Sequence, residues 1–159
     1  MYLDCRLHLL QGRNLSVKDR TSSDPFVRIY LDDGGQTTAT TSDYFDDDKN
    51  CLFQSRSKSK TVNPKFNETF RHTLRDPDLV NRITASANDE IPCCWFVLKL
   101  FDEDGMHGED AMGQVRIPIV IRNDDDDDDD ATRYQWYAVE EGGQGELQVK
   151  LQVTLVRDE

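Results

Sequence analysis

The sequence is short of basic residues, because 19 lysines and arginines stand against 31 aspartates and glutamates, for a formal net charge of −12. Phosphate binding needs a basic face, so this balance argues against nucleic acid as a partner. No apolar run approaches the ~18 residues that cross a membrane as a helix. The four cysteines show neither CxxC nor Cys/His metal spacing. With 159 residues, the chain is expected to form one domain, residues 1–159.

Catalytic signatures are absent from the sequence as well. It contains no G-x-S-x-G, P-loop or HExxH motif, and its three histidines have no serine or cysteine partner that spacing would support. We therefore expect that the protein is not an enzyme. The first ten residues, MYLDCRLHLL, carry charges within their apolar run and do not match a signal peptide. Unpaired thiols favour a reducing compartment, and a cytoplasmic location is expected.

Apolar residues alternate with polar ones and do not recur at helical spacing. The pattern begins with Leu3, Cys5, Leu7 and Leu9, which would share one face of a strand, with Cys5 as a small core residue. Further strand patterns cover residues 26–31, 52–61 (weaker), 66–74, 94–101, 112–121, 134–139 and 147–155. These eight segments predict an all-β fold, an eight-stranded antiparallel β-sandwich. A short helical turn is expected within residues 75–92.

Two segments depart from globular composition. Residues 33–51 are polar and predict a flexible inserted loop. Asp124–Asp130 is an uninterrupted run of aspartates, which repel one another and cannot enter a core. We interpret this run as a solvated loop, and a weak cation buffer or a docking site for a basic partner is the sharper alternative.

Five aspartates flank two turns of the predicted sandwich. Asp19 and Asp24 flank the turn between the first two strands, while Asp102, Asp104 and Asp110 flank the turn between strands five and six. Because alternate turns of an antiparallel sandwich fall at the same end, these two turns are expected to meet. Calcium takes six to eight oxygen ligands in flexible geometry, whereas zinc prefers histidine or cysteine. The pattern therefore predicts a calcium site.

Two other interpretations of these carboxylates stay open at this point. Asp before proline, as at Asp24, and Asp-Gly, as at Asp104, are ordinary turn chemistry. Asp102 with Asp104 or Asp110 could form an acid/base pair, although such chemistry needs two carboxyls of unequal environment in a substrate cleft. Five acids at loop tips favour a cation site. The segment is not an EF-hand, because the ligand spacing of that motif is missing.

Four blocks of the chain occur in an order that is familiar. They read LHLLQGRNLSVKD with SSDPFVRIYL, then KTVNPKFNETF, then LKLFDEDGMHGEDAMGQVRIPI, then WYAVEEGGQGELQVKLQV. Together they resemble a C2 domain over nearly the whole chain. The resemblance implies a Greek-key β-sandwich that binds calcium at three loops on one edge and docks on anionic phospholipid. The order of the blocks is similar to the type II topology of that family.

The resemblance also implies a set of ligands by position. These are the side chains of Asp19, Asp24, Asp102, Asp104 and Asp110, and the backbone carbonyls of Lys18 and Glu103. The loop between Asp19 and Asp24 is one residue shorter than is usual in the family, which bears on the number of ions bound. The second loop, residues 61–67, would shape the site without supplying a carboxylate.

Membrane contacts follow from the same resemblance. Met106, His107 and Arg20 would lie at the lipid-facing tips of the loops. The candidates for contact with a lipid headgroup are Arg28, Arg56, Lys58 and Lys60. Tyr30, Leu52 and Gln54 stand where phosphoinositide-binding members carry basic residues, so a strong phosphoinositide site is not expected.

The function predicted from the sequence is calcium-dependent targeting to an anionic phospholipid membrane surface, with Ca2+ as the cofactor. The protein would be cytoplasmic and would associate peripherally with membrane when calcium binds. The acidic surface, the short first loop and the two long insertions support an alternative, a calcium-independent module that binds a protein partner.

Overall fold

The computed structural model describes residues 1–17, 23–35, 50–86, 91–104, 108–121 and 134–157. Within these residues the chain forms eight strands and one helix. In chain order they are β1 (Tyr2–Arg13), β2 (Pro25–Asp32), β3 (Phe53–Gln54), β4 (Lys65–Leu74), α1 (Pro77–Ala85), β5 (Trp95–Asp104), β6 (Gly108–Pro118), β7 (Gln135–Ala138) and β8 (Glu146–Val156).

The strands form two four-stranded sheets. The first sheet has the order β4-β1-β8-β7 and the second has the order β3-β2-β5-β6, and every pairing is antiparallel. Side chains from the facing sides of both sheets join one apolar core. The predicted eight-stranded antiparallel sandwich is thereby confirmed.

Period-two alternation places the core residues of the first sheet. Leu3, Cys5, Leu7 and Leu9 have no exposed surface, while the residues between them point outward. Burying a large aliphatic side chain contributes about 1.5–3 kcal/mol, so this stripe is a main source of stability. Burial also raises the pKa of the Cys5 thiol to about 12, and it remains protonated as a small core residue, as predicted.

The helical segment was expected within residues 75–92 and is α1. Asp76 caps it by accepting a hydrogen bond from the Asp78 N–H at 3.0 Å, and Pro77 supplies a pre-set φ in the first turn. Leu79, Val80 and Ile83 are buried in the main core, which fixes the helix against the sandwich.

The strand expected over residues 52–61 is shorter than its pattern suggested. Only Phe53–Gln54 pairs as a ladder with β2. Beyond it, the backbone N–H groups of Ser55, Lys58 and Thr61 still donate to carbonyls of residues 23–27 at 2.8–3.0 Å, but at irregular spacing. The segment thus follows β2 as an irregular edge.

The two ends of the second sheet carry different residues, and the predicted aspartates Asp102 and Asp110 lie at only one of them. Pro25 pairs with Asp102 and Asp102 with Asp110 at one end, while Asp32 and Trp95 pair at the other. The chain leaves β2 at this second end, where the predicted loop 33–51 begins. Residues 36–49 of that loop and the whole Asp124–Asp130 run lie outside the described residues.

The pH dependence of stability provides a test of the core edge at His72. Burial lowers the pKa of this histidine below its ordinary value of 6.5, and its ring stacks on Phe70. Since the unfolded chain then takes up the proton more readily, stability is lost as pH falls through 6.5. In urea unfolding at pH 7.5 and 5.5, we expect wild type to lose more stability than His72→Phe. Equal losses in both proteins would contradict this role of His72.

Candidate metal centre

The hairpin of β5 and β6 places two of the predicted aspartates directly opposite each other. Asp102 pairs with Asp110 in the ladder, and their side chains therefore share one face of the sheet. Asp102 is completely buried, whereas Asp110 is exposed. A buried carboxylate is costly unless it is compensated, so the surroundings of Asp102 are informative.

Asp24 joins this pair from the start of β2. Its backbone N–H donates to Asp102 Oδ1 at 2.7 Å, and its carbonyl accepts the Glu103 N–H at 3.0 Å. The hydrogen bond to Oδ1 offsets part of the cost of burying Asp102. The structure thus brings Asp24, Asp102, Glu103 and Asp110 together at one edge, as expected from the alternation of turns.

The segment before β4 also reaches this edge, through a contact that sequence reasoning missed. The Lys60 N–H donates to Asp24 Oδ1 at 2.6 Å, and the Thr61 N–H donates to the Ser23 carbonyl at 2.8 Å. Lys60 has a φ of 52°, in the left-handed region, which aims its N–H at the carboxylate. The backbone N–H of Lys60 therefore belongs to the site. No sequence signal marks a backbone donor of this kind.

Several of the predicted calcium ligands and membrane contacts lie outside the residues that the structure describes. Lys18, Asp19, Arg20, Met106 and His107 lie outside the described residues, and for Asp104 only the backbone, at the end of β5, is described. Across the part of the chain that the structure describes, no three His, Cys, Asp or Glu side chains form a group that could hold a metal ion.

The chemistry of the donors nevertheless suits a hard cation. Asp24, Asp102 and Asp110 offer carboxylate oxygens. Calcium is bound by such oxygens alone, whereas zinc prefers nitrogen or sulfur ligands, which these three aspartates do not provide. The residues described here therefore fit calcium in kind.

Arg28, a candidate for headgroup contact, is already engaged within the protein. Its guanidinium donates to both carboxylate oxygens of Glu109, at 2.5 and 2.7 Å, and to Gln54 Oε1 at 2.9 Å. It also lies over the rings of Phe26 and Phe101, each 5.1 Å from the guanidinium carbon. A bidentate pair of this kind neutralises the charge of the arginine and fixes the orientation of its guanidinium group. Glu109 was not among the residues singled out from the sequence.

Of the remaining headgroup candidates, Arg56 lines a cavity of about 340 Å³ together with residues that include Ser57, Glu103 and Glu109, whereas Lys58 and Lys60 are not among its lining residues. Arg56 is exposed and Lys58 is half-buried, while both glutamates are exposed beside the same space. Two carboxylates at its wall oppose an anionic ligand, since like charges close together are repulsive. The described geometry therefore gathers acidic as well as basic groups here.

The described residues include no helix that is long and apolar enough to cross a membrane.

Comparison with known proteins identifies related chains. The family model described as "C2 domain" matches residues 4–139. Protein C2-DOMAIN ABA-RELATED 10 of Arabidopsis thaliana is 28% identical over 113 residues, which cover 71% of this chain and 45% of the relative. Human Synaptotagmin-5 is 29% identical over 112 residues, 70% of this chain and 22% of the relative. The chain thus spans less than half the length of these curated relatives.

A solved structure gives the same picture of the fold. A C2 domain of plant Extended Synaptotagmin 1 superposes with a TM-score of 0.62, covering 98% of this chain and 96% of that one. The two sequences are 16% identical, so the similarity speaks to the fold alone.

Proposed function

The chain belongs to the C2 domain family, and from that premise we propose that it is a calcium-dependent membrane-targeting module. It would bind anionic phospholipid through Ca2+ held by loop aspartates. The observation that carries this proposal is the meeting of Asp24, Asp102 and Asp110 at one edge of the second sheet. We assign the chain no catalytic role, and we place it in the cytoplasm as a peripheral membrane protein.

The proposed ligands extend beyond the described residues. They comprise the side chains of Asp19, Asp24, Asp102, Asp104 and Asp110 and the backbone carbonyls of Lys18 and Glu103. Calcium bound there would supply positive charge and open coordination positions that accept phosphate oxygens. Backbone donors to Asp24 and Asp102 would hold these carboxylates in place whether or not an ion is present.

Charge explains why targeting would depend on the cation. The protein carries a formal charge of −12, and the surface potential of an anionic cytoplasmic leaflet is about −30 mV. An edge of crowded aspartates is repelled by such a surface. Neutralising these aspartates converts repulsion into attraction without any refolding of the sandwich.

The engagement of Arg28 by Glu109 supports a preference for bulk anionic charge over a particular headgroup. A phosphoinositide would have to displace a bidentate partner, and it would meet Glu103 and Glu109 at the cavity wall. We therefore propose phosphatidylserine-type membranes as the target, with Met106, His107 and Arg20 as the contacts at the loop tips.

Co-sedimentation with vesicles tests this proposal. Vesicles of phosphatidylcholine alone and of phosphatidylcholine with phosphatidylserine are mixed with protein, in calcium or in chelator. We expect sedimentation only with phosphatidylserine and calcium, and less of it at high salt because exposed charge contacts are screened. Adding a small fraction of phosphoinositide should change little. Binding that persists in chelator, or fails although calcium is bound, would refute the membrane switch.

The alternative, a calcium-independent protein-interaction module, predicts a different result. Calcium titration would then give neither heat nor a change in thermal stability at millimolar concentration. One observation supports a protein-binding function: the first sheet carries a basic surface, although the chain as a whole is acidic.

A further inference from the structure

The outward side of the first sheet carries an unusual concentration of positive charge. We call this surface the basic face, and it is the side of β4-β1-β8-β7 that points away from the core. Its charged members, on strands β1, β4 and β8, are Asp4, Arg6, Arg13, Lys65, Arg71, Glu146 and Lys150. Five basic and two acidic side chains leave an excess of three positive charges. Because the whole chain has a net charge of −12, the rest of it carries −15.

The centre of the basic face brings two like charges side by side. Arg6 and Arg71 lie directly opposite each other on neighbouring strands, where like charges are unfavourable. Both reach the same carboxylate, Asp4, at 3.5 Å from Arg6 and 2.9 Å from Arg71. Two guanidinium groups thus share one negative charge. The side chains of Arg6 and Arg71 are 55% and 63% exposed, which leaves their remaining donors available to a ligand.

Aromatic rings hold further cations in position on the same face. The Arg13 guanidinium lies 3.7 Å from the centre of the Trp136 ring, and the Lys150 ammonium lies 5.6 Å from that of Tyr134. The Tyr134 hydroxyl is in turn hydrogen-bonded to His8. Arginine, tryptophan and tyrosine are the residues enriched in protein interfaces, and pre-positioned side chains lose little entropy on binding.

The composition of the basic face favours a polypeptide over a lipid surface. Lipid recognition by charge relies on clusters of four to eight Lys or Arg, whereas here two carboxylates interrupt five cations. Among the described residues the exposed large hydrophobics are Met1, Val17 and Ile91, and none lies on this face. The side-chain amides of Gln11 and Gln148 lie on it instead, hydrogen-bonded to each other at 2.7 Å, so the face is polar rather than apolar.

We propose that the basic face docks an acidic polypeptide segment of a partner protein, with Arg6, Arg71 and Lys150 as its central contacts. Carboxylates of the segment would pair with the two arginines, whose shared Asp4 satisfies only part of their charge. This site is independent of the calcium edge, because it lies on the other sheet and needs no metal.

Fluorescence anisotropy with a labelled twelve-residue peptide of Asp, Glu and Ser tests the proposal. The titration is done in chelator, so that its result does not depend on the calcium proposal. We expect saturable binding that weakens at least about tenfold in Arg6→Gln/Lys150→Gln, since two charge-assisted contacts are removed. The matched control is Lys99→Gln/Arg116→Gln, which likewise removes one lysine and one arginine, in this case from the second sheet, where they lie over the rings of Tyr30 and Trp95. Its affinity should stay within about twofold of wild type.

The chain's own aspartate run requires a second protein, in which Asp124–Asp130 is replaced by a Gly/Ser linker. Tighter binding by this variant supports the basic face and identifies the run as a competitor if the gain is lost when Arg6→Gln/Lys150→Gln is added to it, and a gain that persists overturns the proposal. Equal weakening in both double variants means that only overall charge matters, and it overturns the proposal. It is also overturned if neither wild type nor the linker variant binds. Chelator-resistant binding to phosphatidylserine vesicles that requires Arg6 and Lys150 would make the face a lipid surface instead.

Discussion

Replacing Asp102 with asparagine is expected to abolish the stabilisation that calcium gives the wild-type protein. At a hundredfold excess over its dissociation constant, a ligand stabilises the folded state by about 2.7 kcal/mol. For a domain of this size that corresponds to a rise in melting temperature of about 5–10 °C. The introduced amide would still accept the Asp24 N–H through its oxygen, so the local fold should persist while the charge is lost. Thermal unfolding with and without calcium measures the difference.

A matched control is available at the other end of the same sheet. Asp32 pairs with Trp95 at one end of the β2–β5 ladder, and Pro25 pairs with Asp102 at the opposite end. Asp32 also forms an ion pair with Arg116 at 2.7 Å. Asp32→Asn should lower stability only slightly, because exposed ion pairs contribute about 0–1 kcal/mol, and it should retain the full calcium response. If calcium stabilises Asp102→Asn as much as wild type, the edge is not the calcium site.

The meeting of the aspartates could be predicted from the sequence for a simple physical reason. Side chains alternate along a strand, and antiparallel connections return the chain to the same end of the sandwich. Asp24 stands just before the β2 strand and Asp102 close to the end of the nearly all-apolar β5 strand, and the antiparallel pairing of Pro25 with Asp102 brings the two segments together. The same alternation identified the core positions Leu3, Cys5, Leu7 and Leu9.

The contacts that tune the edge could not be predicted in this way. Whether Glu109 faces Arg28 depends on the register of the β5–β6 hairpin, in which Glu103 pairs with Glu109 and Asp102 with Asp110. The Lys60 N–H reaches Asp24 only because residue 60 adopts a positive φ in an irregular segment. Such contacts arise from three-dimensional packing, and residue type carries no signal for them.

The basic face was missed for a related reason. Arg6 and Arg71 are 65 positions apart, and in sequence each has an ordinary mixture of neighbours. The pairing of β1 with β4 places them side by side, and β8 adds Lys150 in the next row. Net charge conceals this surface, because the rest of the chain is strongly acidic. The two sheets thus divide two proposed tasks, an acidic edge for cations and a basic face for a partner.

Gly145 is expected to be among the least replaceable residues of the fold. It has a φ of +84°, in a region that L residues rarely adopt. A Cβ there would lie 2.3 Å from the Arg13 carbonyl oxygen and 2.5 Å from that of Asn14. Both are backbone atoms, which cannot rotate away as a side chain could. Gly145→Ala should therefore cost about 3 kcal/mol or more, from left-handed strain of about 1–2 kcal/mol plus the displacement of backbone.

Gly142 separates these two contributions, because its φ is +86° but a Cβ would meet nothing within 4 Å. Gly142→Ala should cost only the strain, about 1–2 kcal/mol. Urea unfolding of both variants gives the comparison, with an unchanged slope showing that the same surface unfolds. Since Arg13 ends β1 and Asn14 leads into the segment that carries the proposed ligands Lys18 and Asp19, Gly145→Ala should also weaken calcium binding, while Gly142→Ala should not. Equal destabilisation by the two substitutions would show that the close approach at Gly145 is relieved at no cost.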